Sequence, residues 1–204
     1  LPALDRRLAA HPQSAQDWLL RGEIHVNARD WDQAAADFKQ YLALNREMQW
    51  VISGCWVAGP YPDVLSQSYP PERSLDPHHQ LGALEQDGAA ATWGRVPVSA
   101  CGFLNFGARF EHAEHISAYA LMKIYAPQQR RVQILLGSDD LVRLWLNGVQ
   151  LHERLQIRRA LPDSDTVSAT LQAGWNTLLV RVVNVTGEHA LYLRLVHAGS
   201  TSVQ

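Results

Sequence analysis

Cysteine is nearly absent: two residues in 204, Cys55 and Cys101, are too few for a disulfide framework and lack the CxxC spacing of a zinc site. A bridge between them is not expected from spacing alone. An excess of either charge is also missing. The 18 Lys+Arg against 20 Asp+Glu, with no Lys/Arg block, leave no basic footprint for a phosphate backbone, which excludes nucleic acid as a natural partner. No run approaches the ~18 to 20 apolar residues of a membrane span, and the opening LPALDRRLAAHP puts charge where a signal peptide has its apolar segment. The chain starts at Leu1 rather than Met, so it reads as a segment of a longer protein. GxSxG elbows, P-loops and GxGxxG turns do not occur, which removes the commonest nucleophilic and nucleotide-binding signatures. His78-His79 and His112-Ala113-Glu114-His115 match no helix-borne HExxH, so zinc is not expected. Glu72, Glu111 and Glu153 could serve as acids, but carboxylates alone do not make a glycosidase. What remains is 47% hydrophobic and 19% charged, the composition of a folded chain that buries a core.

From Ala15 to Leu44 the apolar residues fall at helical spacing, in one run with Trp18, Leu19 and Gly22 and a second with Trp31, Ala34, Ala35, Phe38, Tyr41 and Leu42. The polar break Asn27-Ala28-Arg29-Asp30 separates two helices, and the Asp30 carboxylate can cap the second. Small residues at 22 and 34 let the helices approach, while Trp18 and Phe38 fill the volume beside them. Trp18, Gly22, Ala34 and Phe38 stand at the spacing of a tetratricopeptide repeat, which the segment Ala15 to Met48 resembles. Arg46 replaces the usual Pro, and His25 and Tyr41 are off-pattern, as in a terminal repeat. Residues 1–48 are therefore expected to end a repeat array. The resemblance implies a protein partner on the helices, with the alternative that a last repeat only caps the array.

From Trp50 the helical period stops. Short runs rich in Val, Ile, Leu, Tyr and Trp alternate with Gly, Pro, Asn and Asp turns, which predicts an all-β domain over 49–204. Strands are expected at 50–57, 116–125, 131–136, 142–146, 149–153, 166–171, 177–183 and 190–196, a number that suits a jelly roll. Asn147-Gly148 predicts a type I′ hairpin turn, because both of its central positions need positive φ. The proline-rich stretch from Pro60 to Gly94 predicts a long loop.

Trp56-Val57-Ala58-Gly59-Pro60-Tyr61-Pro62, Tyr69-Pro70-Pro71-Glu72, Trp93, Gly137-Ser138-Asp139-Asp140, Trp145-Leu146-Asn147-Gly148 and Gly174-Trp175-Asn176-Thr177-Leu178-Leu179-Val180 resemble a galactose-binding-type jelly roll. Such modules occur in large multidomain bacterial proteins, some with a kinase domain upstream. WLNG and GWNTLLV are also similar to the sugar-binding domain that begins family 2 glycoside hydrolases. The fold class that follows is α+β in two segments, a tetratricopeptide helical hairpin and then an all-β, galactose-binding-like sandwich.

Ser138-Asp139-Asp140 is similar to the adjacent-aspartate motif of flocculin-type and protective-antigen-like lectins. That resemblance implies Ca2+ on Asp139 and Asp140, with Asn184 or Asp165 to complete the shell, and a carbohydrate ligand on the metal. A hard divalent cation wants several oxygens, which two carboxylates help to supply. The competing reading makes both aspartates turn residues that satisfy backbone donors. Arg143 and Asn147 fall beside this turn, and Trp93 and Trp175 lie near loops where a ring can stack on a sugar face. The expectation is a non-enzymatic binding and scaffold segment with ligand residues Asp139, Asp140, Arg143, Asn147, Trp93 and Trp175. It requires no cofactor unless calcium binds. The alternatives are a calcium-dependent lectin and an accessory domain of a glycoside hydrolase or kinase-type protein. Compartment is not fixed by the residues; the resembling family points to the cytoplasm.

Overall fold

Periodicity sets where the backbone coils and where it extends. In the computed structural model, residues 1–77, 93–97, 99 and 101–198 are described. Three helices come first, α1 (Pro2–Ala10), α2 (Ala15–Asn27) and α3 (Trp31–Leu44). Asp30 caps α3 by accepting from the Gln33 N–H at 3.2 Å. A Cβ at Gly22 would come within 2.4 Å of the Phe38 ring, so only glycine lets α2 approach α3 this closely. Ala34 and Phe38 are fully buried at that contact. Asp37 is buried as well, and it is held by the Arg21 guanidinium at 2.7 Å and by His25 Nδ1 at 2.9 Å. The helical hairpin is thus present, with the close approach that its small residues predict.

Among the described residues ten strands follow: β1 (Val51–Pro62), β2 (Gly94–Val96), β3 (Phe103–Asn105), β4 (Ile116–Ala126), β5 (Arg130–Asp139), β6 (Leu141–Leu146), β7 (Val149–Arg154), β8 (Asp165–Leu171), β9 (Gly174–Asn184) and β10 (Ala190–His197). Short helices α4 (Pro70–Arg73) and α5 (Phe106–Arg109) interrupt them. All eight expected strands are present. The two additional ones, β2 and β3, are three residues each, too short to show an alternation. The expected loop after Pro60 contains α4, and its middle, residues 78–92 with His78-His79, lies outside the described residues.

The strands form two sheets, one in the order β2-β1-β4-β9-β6-β7 and one in the order β3-β10-β5-β8. The pairs β1–β2, β6–β7, β6–β9, β3–β10 and β5–β10 are antiparallel. Central strands β4 and β9 are buried along most of their length on both faces, so their sequences, AYALMKIYA and TLLVRVVN, read as near-continuous apolar runs rather than alternations. β7 closes one end of the six-stranded order and stays largely exposed. The Asn147-Gly148 turn has φ of 52° and 82°, as its type I′ sequence requires.

The chain divides into two compact units. The first comprises residues Leu1–Gly54, Lys123–Arg130 and Leu171–Asn176, and the second Cys55–Met122, Arg131–Thr170 and Thr177–Gln204. Within the first, Trp175 packs edge-on against Trp31, with centroids 5.0 Å apart, and against Phe38 and Tyr125 at 6.0 and 5.5 Å. Its indole N–H donates to the Trp31 carbonyl at 3.1 Å. All residues of the site described next belong to the second unit.

Candidate functional site

The site begins at a glycine. A Cβ at Gly137 on β5 would lie 1.7 Å from the backbone oxygen of Leu161, so glycine lets the β7–β8 connection lie directly on the strand. Three residues on, the Asp140 carboxylate collects three backbone donors from two separate loops. Oδ1 accepts from Arg158 N–H at 3.0 Å, while Oδ2 accepts from Val185 and Thr186 N–H at 2.9 and 3.3 Å. The Ser138 hydroxyl donates to the Asp140 carbonyl at 2.8 Å, and the Arg158 guanidinium donates to that hydroxyl at 2.8 Å and to Asp165. The peptide between Asp139 and Asp140 is cis.

Electrostatics separate the carboxylates. Burial, and then the charge of Asp140, push Asp139 up to about 6, against the Ala160 N–H that donates to it. Burial also acts to raise Asp165, but hydrogen bonds and charge from Arg158 and Arg154 leave it below its ordinary value. Glu114 accepts from Gly187 N–H and the Thr186 hydroxyl, both at 2.9 Å, and these bonds hold it below the usual carboxylate range. That contact steadies the loop on which Thr186, Gly187 and Glu188 line the site.

These loops enclose a cleft of about 600 Å3. Asp139, Asp140, Arg158, Arg159, Thr186 and Glu188 line it. Phe103 and Tyr192 form its aromatic part. They stand directly opposite each other on β3 and β10, with centroids 4.6 Å apart and ring planes inclined by 33°. Phe103 is 44% exposed, unusual for a phenylalanine beside a core.

Of the six residues singled out from the sequence, Asp139 and Asp140 line this cleft and the other four do not. Arg143 pairs with Glu153 and donates to the Leu65 carbonyl at 2.7 Å. Asn147 sits in its hairpin turn, where Oδ1 accepts from Thr177 N–H at 2.8 Å. Trp93 is buried, and Trp175 belongs to the aromatic cluster of the first unit. Phe103, Arg158, Arg159, Glu188 and Tyr192 were not picked out. Only Tyr192 had a signal: in Ala190-Leu-Tyr-Leu-Arg-Leu-Val-His197 it shares a face with Arg194, opposite Leu191 and Leu193.

Calcium, which the adjacent-aspartate resemblance implies, takes six to eight oxygen ligands. Here N–H donors occupy both oxygens of Asp140, a guanidinium stands on Ser138, and Asp165 is bound by two arginines. Asn184 is buried and donates its amide to the Ala113 carbonyl at 2.9 Å. Among the described residues no group of three or more His, Cys, Asp or Glu side chains is arranged to hold a metal ion. As placed, hydrogen-bond donors engage the oxygens of Asp140 and Asp165, as in the turn reading, whereas the buried Asn184 Oδ1 has no hydrogen-bond partner, so a calcium ion here would have to displace those donors.

No protein-family model matches the chain, and neither does any curated protein. Among solved structures it is similar to an anti-sigma factor domain-containing protein from Clostridium clariflavum, at 20% identity over 44% of this chain and 30% of that one, with a TM-score of 0.35. The PA14 sugar-binding domain of an RTX adhesin matches at 19% identity over 42% of this chain and 49% of its own, with a TM-score of 0.32. A β-glucosidase from Kluyveromyces marxianus, in complex with glucose, matches at 11% identity over 70% of this chain and 16% of its own, with a TM-score of 0.46. The chain spans less than half the length of each.

Proposed function

We propose that the chain is a non-enzymatic binding segment whose two sheets form a jelly-roll sandwich that takes a carbohydrate in the cleft beside Asp139. The carrying observation is the exposed Phe103 ring against the half-buried Tyr192 in the same cleft as carboxylates and arginines. A sugar ring has an apolar C–H face that an aromatic ring can cover and hydroxyls that need both acceptors and donors. Asp139 and Glu188 supply acceptors, and Arg159 supplies donors. The helical hairpin, in which Gly22 lets α2 close on Phe38 of α3, is read as a tetratricopeptide-type repeat, and a protein partner on its helices is what that reading implies.

Titration of the full chain with a panel of mono- and disaccharides, followed by calorimetry, tests the cleft. Phe103→Ala and Tyr192→Ala are each expected to weaken binding at least about tenfold, which is the scale of one stacked ring, with little change in Tm for the exposed Phe103. A sugar that binds both variants as well as the parent places the site elsewhere, and turnover of a glycoside by the pure chain overturns the non-enzymatic reading. A calcium-dependent lectin is the second reading, favoured by one observation: Asp139, Asp140 and Glu188 gather negative charge in one cleft. Calcium added to chelator-treated protein discriminates the two readings, through a rise in Tm that Asp139→Asn removes.

A further inference from the structure

The β7–β8 connection carries three exposed aliphatic side chains close together: Leu155, Ile157 and Leu161 are 53, 60 and 62% exposed. Single exposed apolar residues are ordinary on a surface, whereas a group of them beside a cleft calls for a ligand or a partner. Ile157 itself lines the cleft, together with Phe103, Ala160 and Tyr192. We propose, on the basis of the carbohydrate reading above, that the cleft takes an alkyl glycoside, a sugar whose aliphatic tail covers Ile157.

Ile157 is uncovered although its neighbours on both sides are fixed. On one side, the Arg158 N–H donates to Asp140 Oδ1 at 3.0 Å, and its guanidinium donates to the Ser138 hydroxyl at 2.8 Å and to Asp165. On the other, Gln156 Oε1 accepts from Arg154 Nε and Nη2 at 3.3 and 3.1 Å, and Arg154 is paired with Asp165 at 2.7 Å. Further along the connection, the backbone of Leu161 rests on Gly137. An isoleucine held between anchored residues offers its apolar surface without an ordering cost, which is what a preorganised contact requires.

The side chain selects the kind of group it can cover. Isoleucine has no donor or acceptor for a hydroxyl and no flat face for a sugar ring, which Phe103 does offer. A branched aliphatic surface gains most against another aliphatic group, since contact removes both from water. A charged substituent gains less here, because the Arg158 guanidinium is committed to Ser138 and Asp165 and both oxygens of Asp140 accept backbone N–H groups. The cleft, at about 600 Å3, is of the size that takes a drug-sized ligand, so it has room for more than one sugar ring. Asp139, Glu188 and Arg159 then hold the hydroxyls, and Ile157 holds the carbon chain.

Calorimetric titration of the full chain with paired methyl and octyl glycosides of glucose, galactose, mannose and N-acetylglucosamine, below micelle-forming concentrations, gives the answer. A methylene removed from water is worth about fourfold in affinity, so burial of two of them makes the octyl form at least about tenfold tighter than its methyl partner. The octyl form is also expected to bind at least about tenfold tighter than 1-octanol, and Ile157→Ser to bring the octyl-to-methyl ratio below about threefold. Methyl and octyl forms that bind equally well overturn this inference and leave the carbohydrate reading standing. A ratio that survives Ile157→Ser overturns the place given to the tail. No binding by any pair, or 1-octanol binding as tightly as the octyl glycosides, overturns both the inference and the carbohydrate reading. The methyl-to-octyl comparison on the unmodified chain holds even if the serine variant folds poorly.

Discussion

Asp140 does more for the fold than its position in a turn implies. Its carboxylate accepts N–H groups from residues 18, 45 and 46 positions away, so one side chain fastens two walls of the cleft. Asp140→Ala leaves those donors without their acceptor and should cost about 2 to 4 kcal/mol in urea unfolding. Asp140→Asn, which keeps one acceptor oxygen, should cost less. Asp139 behaves in the opposite sense. Its pKa near 6, against an ordinary 3.8, means that the folded chain binds the proton more tightly than the unfolded one. The stability it contributes is therefore greatest below its unfolded value and is lost as pH rises to about 6. Asp139→Asn should raise stability at pH 7 by about 1 to 2 kcal/mol and flatten the Tm profile between about pH 4 and 6. Asp163 and Asp165, both held below their ordinary values by arginines, act the other way: their contribution is present above the unfolded value and disappears as pH falls through the folded one. The sequence located the aspartate pair. It could not show the partners, because those donors are backbone groups, which every residue carries, delivered by loops far along the chain.

Strands and helices were more legible than the connections between them. All eight expected strands exist because each carries enough apolar residues, bounded by turn formers, to declare itself; β2 and β3 escape because three residues hold no pattern. Phe103 was missed with β3. The β7–β8 connection was missed for another reason: its wall residues, Ile157 to Ala160, have no period, and what places them is the bare backbone of Gly137 under Leu161. Gly137→Ala puts a methyl group against a carbonyl oxygen and should shift that wall. The expected result is at least about a tenfold loss of sugar affinity, larger than the loss in Tm would suggest, since overpacking at the site costs about 1 to 3 kcal/mol. Intact affinity in a folded variant would show that this wall does not contact the ligand. Trp175 shows the reverse error. Proximity to a turn made it look like a stacking surface, whereas its ring belongs among Trp31, Phe38 and Tyr125.

For the molecule as a whole, the class of fold could be read from grammar, and the binding cleft could not. An apolar strand pattern reports only which face turns inward, whereas a cleft depends on which loops meet. A buried cation shows how firmly one such loop is held. Arg181 on β9 is fully buried and donates to the Val64 and Gln67 carbonyls, to Glu72 and to the Ser117 hydroxyl, with Tyr69 stacked 5.0 Å from its guanidinium. Nothing in TLLVRVVNV except its lone charge foretells this. Arg181→Met leaves Glu72 with only the Tyr119 hydroxyl and two carbonyls without this donor, beneath the loop that carries α4, and should destabilise by about 3 to 5 kcal/mol; a stability within error of the parent would mean that water replaces the guanidinium.

β7 has a consequence of a different order, for life at high concentration. It ends its sheet with one backbone edge open, and Val149 and Leu151 are exposed along it, a geometry that templates the addition of further strands from other chains. The same six residues include Glu153, paired with Arg143, and Arg154, paired with Asp165. Charges fixed in place on this last strand of the order oppose its pairing with a second copy, so the ion pairs that order this corner of the sheet also work against strand-by-strand association.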